Sequence, residues 1–386
     1  AIMASDMAAT NPVAPPDHPP GTWFDPAVGA LVDERELLQS MQGKAAVLLG
    51  ETHDVMEIHL WQMRVIAALH ARDPYLAVGF EMFPRSAQPV LDRWVAGEIG
   101  VETFLDEARW STVWGFDPEL YLPIFHFCRQ VKVPMIALNC YRALVSRVRR
   151  EGWAAIPEAE RDGVTPSAPA TDAYRRYLFG MINPSVDCAP REMDARFDGF
   201  VDAQQVWDRA FAQNIAVSRA GDPDRMVVGI IGRGHLEFGY GTPYQLRDLG
   251  IDDIAVLLTR EAAHPQEVRS ANPLAVGICD AVFCLDAVEA PRPRPPRLGI
   301  AVEEGGRGVI VAAVDDDSPA AAAGIRRGDL LHRFCGHLVS DANAVRRTVR
   351  KLSHGVSVPV EVNRDGASLS LLACLPPLPS DGTDRR

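Results

Sequence analysis

Two stretches of the chain end an apolar run in the same way. "LLGETHD", Leu48 to Asp54, runs to Gly50 and reaches His53 three residues later. "IIGRGHLEFGYG" runs to Gly232 and reaches His235. In each, the glycine permits a tight turn off a strand, and the turn aims an imidazole beyond the strand's carboxyl end. Carboxylates stand close by: Glu51 inside the first motif and Glu81 in "VGFEMF". Imidazole and carboxylate together suit a divalent metal such as Mn, Co or Zn, held by His53, His235 and Glu81. They equally suit general acid–base work by Glu51, His53, Glu81 and His235. A single strand-end histidine is usually a helix cap bonded to backbone. Two matched motifs weigh against that reading.

Tyr240 and Tyr244 follow the second motif in "GYGTPYQL". Gly239 and Gly241 flank Tyr240, so its ring sits on a turn and projects either as a rim tyrosine or as a ligand. A tyrosinate there suits ferric haem. His59 and Gln62 lie one turn apart on the helix after the first motif. That spacing serves a solvated face or a reach to the rim, and the solvated face is the simpler reading. Asn139, at the end of "VPMIALNC", is a further rim amide.

The elements that must hold these residues are legible as alternating textures. Short apolar runs occur at 45–50, 76–83, 133–140, 226–232, 253–258 and 281–285. Continuous Val, Ile and Leu suit strands buried on both faces of a parallel sheet. Helical patterns lie between them, in "DVMEIHLWQMRVIAALHA", "AQPVLDRWVAG", "PELYLPIFHFCRQ" and "FVDAQQVWDRAFAQNIAVSRA". This alternation predicts a doubly wound, mostly parallel α/β sheet with flanking helices. Ligands of such sheets bind outside the carboxyl ends of the strands, where the two histidines, two carboxylates and Asn139 fall. The segment 151–195 reads as a helical excursion or lid.

Of the 386 residues, 47% are hydrophobic and 23% charged, a globular composition with room for two or three domains. A net charge of −12 gives no chain-wide basic field, so nucleic acid is not an expected partner. No run reaches the roughly 18 apolar residues of a membrane span. The seven cysteines form no C-x-x-C pair, which argues against a zinc ribbon or a thioredoxin-type motif. The Pro- and Ala-rich segment 1–21 is expected to be a disordered tether, not an intact signal peptide. The α/β domain is expected over 22–287. "EAPRPRPPR" supplies a stiff linker over 288–296. A small, mostly β domain follows over 297–378, with a disordered tail at 379–386.

These segments resemble known families. "LLGETHDVMEIHLWQ", "VGFEMF", "IALNC", "FVDAQQVWDRAFAQNIA" and "GRGHLEFGYGTPYQL" occur in the order seen in the ChaN-like haem-binding uptake family of the Tiki superfamily. The resemblance implies an α/β fold in a bacterial envelope or periplasmic protein, often a lipoprotein, linked to haem or iron acquisition. It implies haem ligated by a tyrosine at a dimer interface. Tyr240 is the first choice and Tyr244 the second, with His53, His59 and His235 near the cofactor. The Tiki branch implies instead a metal-dependent protease using His53, His235 and Glu81 or Glu51. Related erythromycin-esterase-like proteins imply hydrolysis on the same rim. The chain departs from the family in one place. Ile58-His59 leaves one histidine where members often have two. No lipobox cysteine is visible near the start.

The last domain is similar to PDZ domains of the bacterial HtrA type, chiefly through "SPAAAAGIRRGDLL". Leu298, Gly299 and Ile300 then match the loop whose backbone N–H groups receive a partner's C-terminal carboxylate. The sequence-level reading is a haem-binding envelope protein of binding and transport class, docking a partner's C terminus. The alternatives are a Tiki-type hydrolase or protease whose PDZ domain selects substrates, and a scaffold with a vestigial site.

Overall fold

A computed structural model describes residues 18–182, 195–261, 274–286 and 296–377. They fall into two compact units, divided between Glu289 and Ala290.

The first unit is built on an eight-stranded sheet of β1 (Trp23–Asp25), β2 (Ala30–Val32), β3 (Ala46–Glu51), β4 (Leu76–Pro84), β5 (Met135–Asn139), β6 (Met226–Gly232), β7 (Ile254–Glu261) and β8 (Ala281–Leu285). Their order is β2-β1-β8-β7-β3-β6-β4-β5. The six strands from β8 to β5 are parallel, and the short β1–β2 hairpin pairs antiparallel on the β8 edge. Each apolar run of the sequence became one of the parallel strands. The hairpin was not anticipated, because three-residue strands carry too little pattern.

Alternation along the central strands sorts side chains to the two faces. Val47 and Leu49 of β3 join Val228 and Ile230 of β6 in the larger core. Ala46 and Leu48 join Val227 and Ile231 in the core on the opposite face. The helices are α1 (Glu34–Ser40), α2 (Met56–Arg72), α3 (Gln88–Ala96), α4 (Val101–Glu107), α5 (Trp110–Val113), α6 (Leu122–Val131), α7 (Arg142–Glu151), α8 (Asp172–Ile182), α9 (Ala195–Ala220) and α10 (Thr242–Asp248). Helices α2, α3 and α6 contribute to the larger core; α9 and α10 contribute Phe211, Ile215 and Leu246 to the other. Helix α2 buries Ile58, Trp61, Val65, Ile66 and Leu69, an apolar stripe at helical spacing. No helix among the described residues is long and apolar enough to cross a membrane.

Residues 1–17 of the segment expected to be disordered lie outside the described residues. His18 is buried and its Nε2–H donates to the Thr22 carbonyl at 3.0 Å, so ordered chain begins before residue 22. Of the expected excursion over 151–195, residues 172–182 form α8 and 183–194 lie outside the description. The linker over 288–296, except Pro296, and the tail over 379–386 also lie outside it.

The second unit is an antiparallel sheet of β9 (Ile300–Gly305), β10 (Gly308–Val314), β11 (Leu330–Phe334), β12 (His337–Leu338), β13 (Ser357–Arg364) and β14 (Ala367–Cys374). The order is β14-β13-β11-β10-β9, with β12 paired to β11, so β9 is an edge. Two helices complete it: α11 (Pro319–Ala322), capped by the Ser318 hydroxyl, and α12 (Ala342–Arg350), capped by Asp341. Its core of Leu298, Val302, Val311, Ile325, Val345, Val360 and neighbours is its own.

Candidate functional site

The two G-x-x-H motifs sit side by side. Parallel register sets Gly50 beside Ile231 and Glu51 beside Gly232. The expected turn at each glycine is not there. Gly50 and Gly232 both lie within their strands, and neither has a positive φ. Close approach explains them instead. A Cβ on Gly50 would fall 2.3 Å from Leu258 Cδ2. A Cβ on Gly232 would fall 3.0 Å from His53 Cε1 and 3.3 Å from Glu81 Oε2. The missing side chain at Gly232 is therefore the space that the His53 ring and the Glu81 carboxylate fill. The Gly232 N–H also donates to Glu81 Oε2.

Each histidine is backed by a buried carboxylate. His53 Nδ1 donates to Glu51 Oε1 at 2.8 Å, and His235 Nδ1 donates to Asp208 Oδ1 at 2.9 Å. Nε2 of both rings has no hydrogen-bond partner among the described residues. Burial would lower the His53 pKa, but the Glu51 hydrogen bond and the charge of Glu81 outweigh it and hold the imidazole above its ordinary value. Burial acts the same way on His235, and Asp208 overcomes it. Burial raises the Glu81 carboxyl, against the pull of His235 and His53. The rim thus brings two imidazoles and one buried carboxyl within electrostatic reach of one another.

The polar groups behind the rim were less legible. Glu51 Oε1 also accepts from the Tyr121 hydroxyl at 2.9 Å, and Tyr121 accepts from Trp114 Nε1 at 3.1 Å. Trp114 and Phe116 pack on the His53 ring at 4.7 and 5.2 Å between centroids. The solvated face expected for His59 and Gln62 is a buried one. Both are fully enclosed: His59 Nε2 donates to the His53 carbonyl at 3.1 Å, and Gln62 Nε2 to the Leu49 carbonyl at 3.1 Å. A buried polar side chain without a partner is costly, so these two on the apolar stripe of α2 had to be bonded inward. Asn139 is a fastener, not a rim ligand. Its Nδ2 donates to the Glu81 carbonyl at 2.8 Å, and its Oδ1 accepts from the Cys140 N–H at 2.8 Å.

Tyr240 lies on the other flank of His235, in a cluster of rings. Its ring stands 5.4 Å from Phe238, 5.9 Å from Tyr177 and 6.2 Å from Tyr174. Phe238 takes a left-handed conformation, with φ of 58°, which stacks it on Tyr240. Tyr174 and Tyr177 donate their hydroxyls to Asp208 and Glu237 at 2.6 and 2.7 Å. Burial, reinforced by those carboxylates, pushes both phenols far above the ordinary tyrosine range. The Tyr240 hydroxyl has no hydrogen-bond partner among the described residues. Tyr244 is half-buried one turn on, in α10, and outside the ring cluster. Asp208 and Glu237 were not anticipated. Asp208 sits with Phe211, Ala212 and Ile215 on the stripe of α9 that packs on the sheet, and a charge on such a stripe is the signal that would have found it.

A family model for haem-binding uptake proteins, Tiki superfamily, ChaN, matches residues 37–246, more than half of the chain. The chain belongs to this ChaN family. A PDZ model matches residues 296–373. The solved structure described as cofacial heme binding to ChaN of Campylobacter jejuni shares 18% identity and a TM-score of 0.54, over 68% of this chain and 95% of that one. That likeness concerns the fold. Probable periplasmic serine endoproteases, DegP-like, of Brucella suis and Brucella abortus are 33% identical over 84 residues. The match takes in 22% of this chain and only 16% of those relatives' length.

The ChaN family implies haem, and the ring cluster can be tested against it. Haem needs an apolar or aromatic face, an axial donor and a cation for its carboxylates. Phe238, Tyr177 and Tyr240 supply the face, and Tyr240 the unengaged phenol. The Arg247 guanidinium lies beside Gly239, where a Cβ would meet its Nη1 at 3.3 Å, and no carboxylate among the described residues pairs with it. The residues fit. No group of three or more His, Cys, Asp or Glu that could hold a metal ion occurs among the described residues.

Proposed function

We propose that the first unit binds haem through Tyr240 and that the PDZ unit docks the C terminus of a partner, the whole acting in the bacterial cell envelope. One observation carries the haem assignment. Of the three phenols in the ring cluster, Tyr240 alone is not committed to a carboxylate. When bound, haem would take the tyrosinate oxygen as an anionic ligand to ferric iron. The protein's own part is to keep Tyr174 and Tyr177 protonated, stack Phe238 behind the ligand and offer Arg247 as a counter-charge. A second copy of the chain closing over the haem agrees with the cofacial arrangement named for the Campylobacter protein. The periplasmic DegP-like relatives favour an envelope location.

For the PDZ unit the support is a loop and an edge. Gly299 has φ of 80°, and a Cβ there would lie 2.2 Å from Ser318 Cβ, so only glycine shapes that loop. Leu298 is buried beneath it and Ile300 begins the edge strand. Backbone N–H groups of such a loop suit a carboxylate, and the edge suits an added strand.

The test is titration of the apo-protein with hemin, followed by the Soret band, beside metal analysis of the same preparation. Wild type is expected to saturate. Tyr240→Phe should weaken binding by at least about ten-fold, or 1.4 kcal/mol, while Tyr177→Phe should not. Equal affinity of Tyr240→Phe and wild type would remove Tyr240 as the ligand.

A second reading has its own observation. His53 Nε2 and Glu81 meet at Gly232, and both histidines are backed by carboxylates, an arrangement suited to hydrolysis by Glu51, His53, Glu81 and His235, with or without a metal. No haem signal, with a stoichiometric metal and peptidase activity lost in His53→Ala, would favour it.

A further inference from the structure

We propose that the groove of the second unit selects C-terminal peptides bearing a carboxylate side chain two residues before their end, and that Arg346 reads it. This rests on the docking reading above and adds the chemistry of the partner. Between β9 and α12 lies a groove of about 190 Å³ lined by Ile300, Val302, Val345, Arg346, Val349 and Arg350. Its floor is aliphatic, and two arginines one turn apart form its wall. Beyond β9 no further strand of the described residues pairs with the sheet.

Three contacts fix the direction of α12. The Ala342 N–H donates to Glu304 Oε1 at 2.7 Å, and Arg346 Nη2 donates to the Val302 carbonyl at 2.8 Å. Val349 and Arg350 reach the groove together with Ile300. The helix therefore runs antiparallel to β9. A peptide strand added antiparallel to β9, with its carboxylate at the Gly299 loop, sets its last residue level with Ile300. Its third-from-last residue is then level with Val302.

At that level Arg346 holds the Val302 carbonyl, the acceptor that the third-from-last N–H requires. The incoming strand must displace the guanidinium. Alternate side chains of a strand share a face, so the last and third-from-last side chains both meet α12. A carboxylate at the third-from-last position gives the displaced Arg346 an ion-paired hydrogen bond in place of one to a neutral carbonyl. An amide side chain offers it only a neutral acceptor, an apolar one leaves it with water, and a cation repels it. Asn343 Oδ1 accepts from Arg346 Nη1 at 2.9 Å and keeps the guanidinium on the groove side. Arg350, at the Ile300 end, adds positive charge where the terminal carboxylate sits. Strand edge, carboxylate and arginine thus define the partner: a small apolar last residue with Asp or Glu two before it.

The experiment uses the full chain and labelled decapeptides ending in Val that differ only in Glu or Gln at the third-from-last position. Each is made as free acid and as amide and followed by fluorescence anisotropy at low salt. The Glu acid is expected to bind about ten-fold tighter than the Gln acid. Arg346→Gln should bring the two within about two-fold of each other without weakening the Gln peptide. Arg346 is exposed, and the melting curve of the variant checks that the unit is intact. If acids bind and amides do not, yet Glu and Gln are equal, or the preference survives Arg346→Gln, the carboxylate selection is wrong and docking stands. If amides bind as well as acids, or no peptide binds, docking itself is wrong and the selection falls with it.

Discussion

At the scale of the residue, the site depends on an absence. Gly232 makes room for an imidazole and a carboxylate, and an alanine there would press on both at 3.0 and 3.3 Å. Gly232→Ala should fold, because its backbone φ of −54° suits any residue. It should nevertheless lose about 1–3 kcal/mol to overpacking and displace His53. Chemical denaturation and the His53 imidazole resonances check this. Gly180→Ala serves as control, because a Cβ at Gly180 meets nothing within 4 Å. A Gly232→Ala protein as stable as wild type, with its resonances unmoved, would refute the packing role. The sequence showed the motif but not this reason for it, because the crowding comes from His53 and Glu81, both far away along the chain. Tyr121 escaped notice for the same cause: nothing local to it announces that Glu51 is its partner.

At the scale of the element, α9 holds the rim in place. Asp208 accepts from His235 Nδ1 at 2.9 Å, from the Thr242 hydroxyl at 3.1 Å and from the Tyr174 hydroxyl at 2.6 Å. One carboxylate so ties α8, the turn after β6 and the start of α10 to a single helix. Asp208→Asn replaces an all-acceptor group with one that must also donate. It should cost about 2–3 kcal/mol and loosen Tyr174. Thermal unfolding measures the cost, and faster amide exchange in α8 than in α2 would locate it. A uniform change across the unit would count against Asp208 as the tie. The buried strands were legible because an unbroken apolar run has few other places to go. The bonded polar residues His59, Gln62 and Asp208 were not, because a polar residue on an apolar stripe reads alike whether its partner exists or not.

At the scale of the whole molecule, two compact units with no shared core imply two unfolding transitions. Asp329 offers a way to move one of them. It is buried, and Arg364 bonds it through Nε at 2.7 Å and Nη2 at 2.8 Å. Burial alone would raise its carboxyl; the Arg364 pair and the Arg326 N–H overcome that and hold it below the ordinary value. A depressed folded pKa stabilises above the unfolded value of about 3.9, and the contribution is lost as pH falls through the folded value. Asp329→Asn should therefore lower only the second unit's transition at pH 7, by about 1–3 kcal/mol. The gap to wild type should narrow as pH falls below the unfolded value of about 3.9. Scanning calorimetry from pH 7 to 3 reads both effects. A gap that persists unchanged in acid would show that the Asp329 charge is not what stabilises the fold. The strand order carries a last consequence, one of timing. β6 lies between β3 and β4, and it follows them in the chain by more than 140 residues. A nascent chain that has emerged only as far as α8 has both His53 and Glu81, but not the strand that joins them. Loop closure over that length is slow and entropically costly, so the rim assembles as a late event of synthesis. A chain stopped short of Met226 would expose the apolar edges of β3 and β4 together.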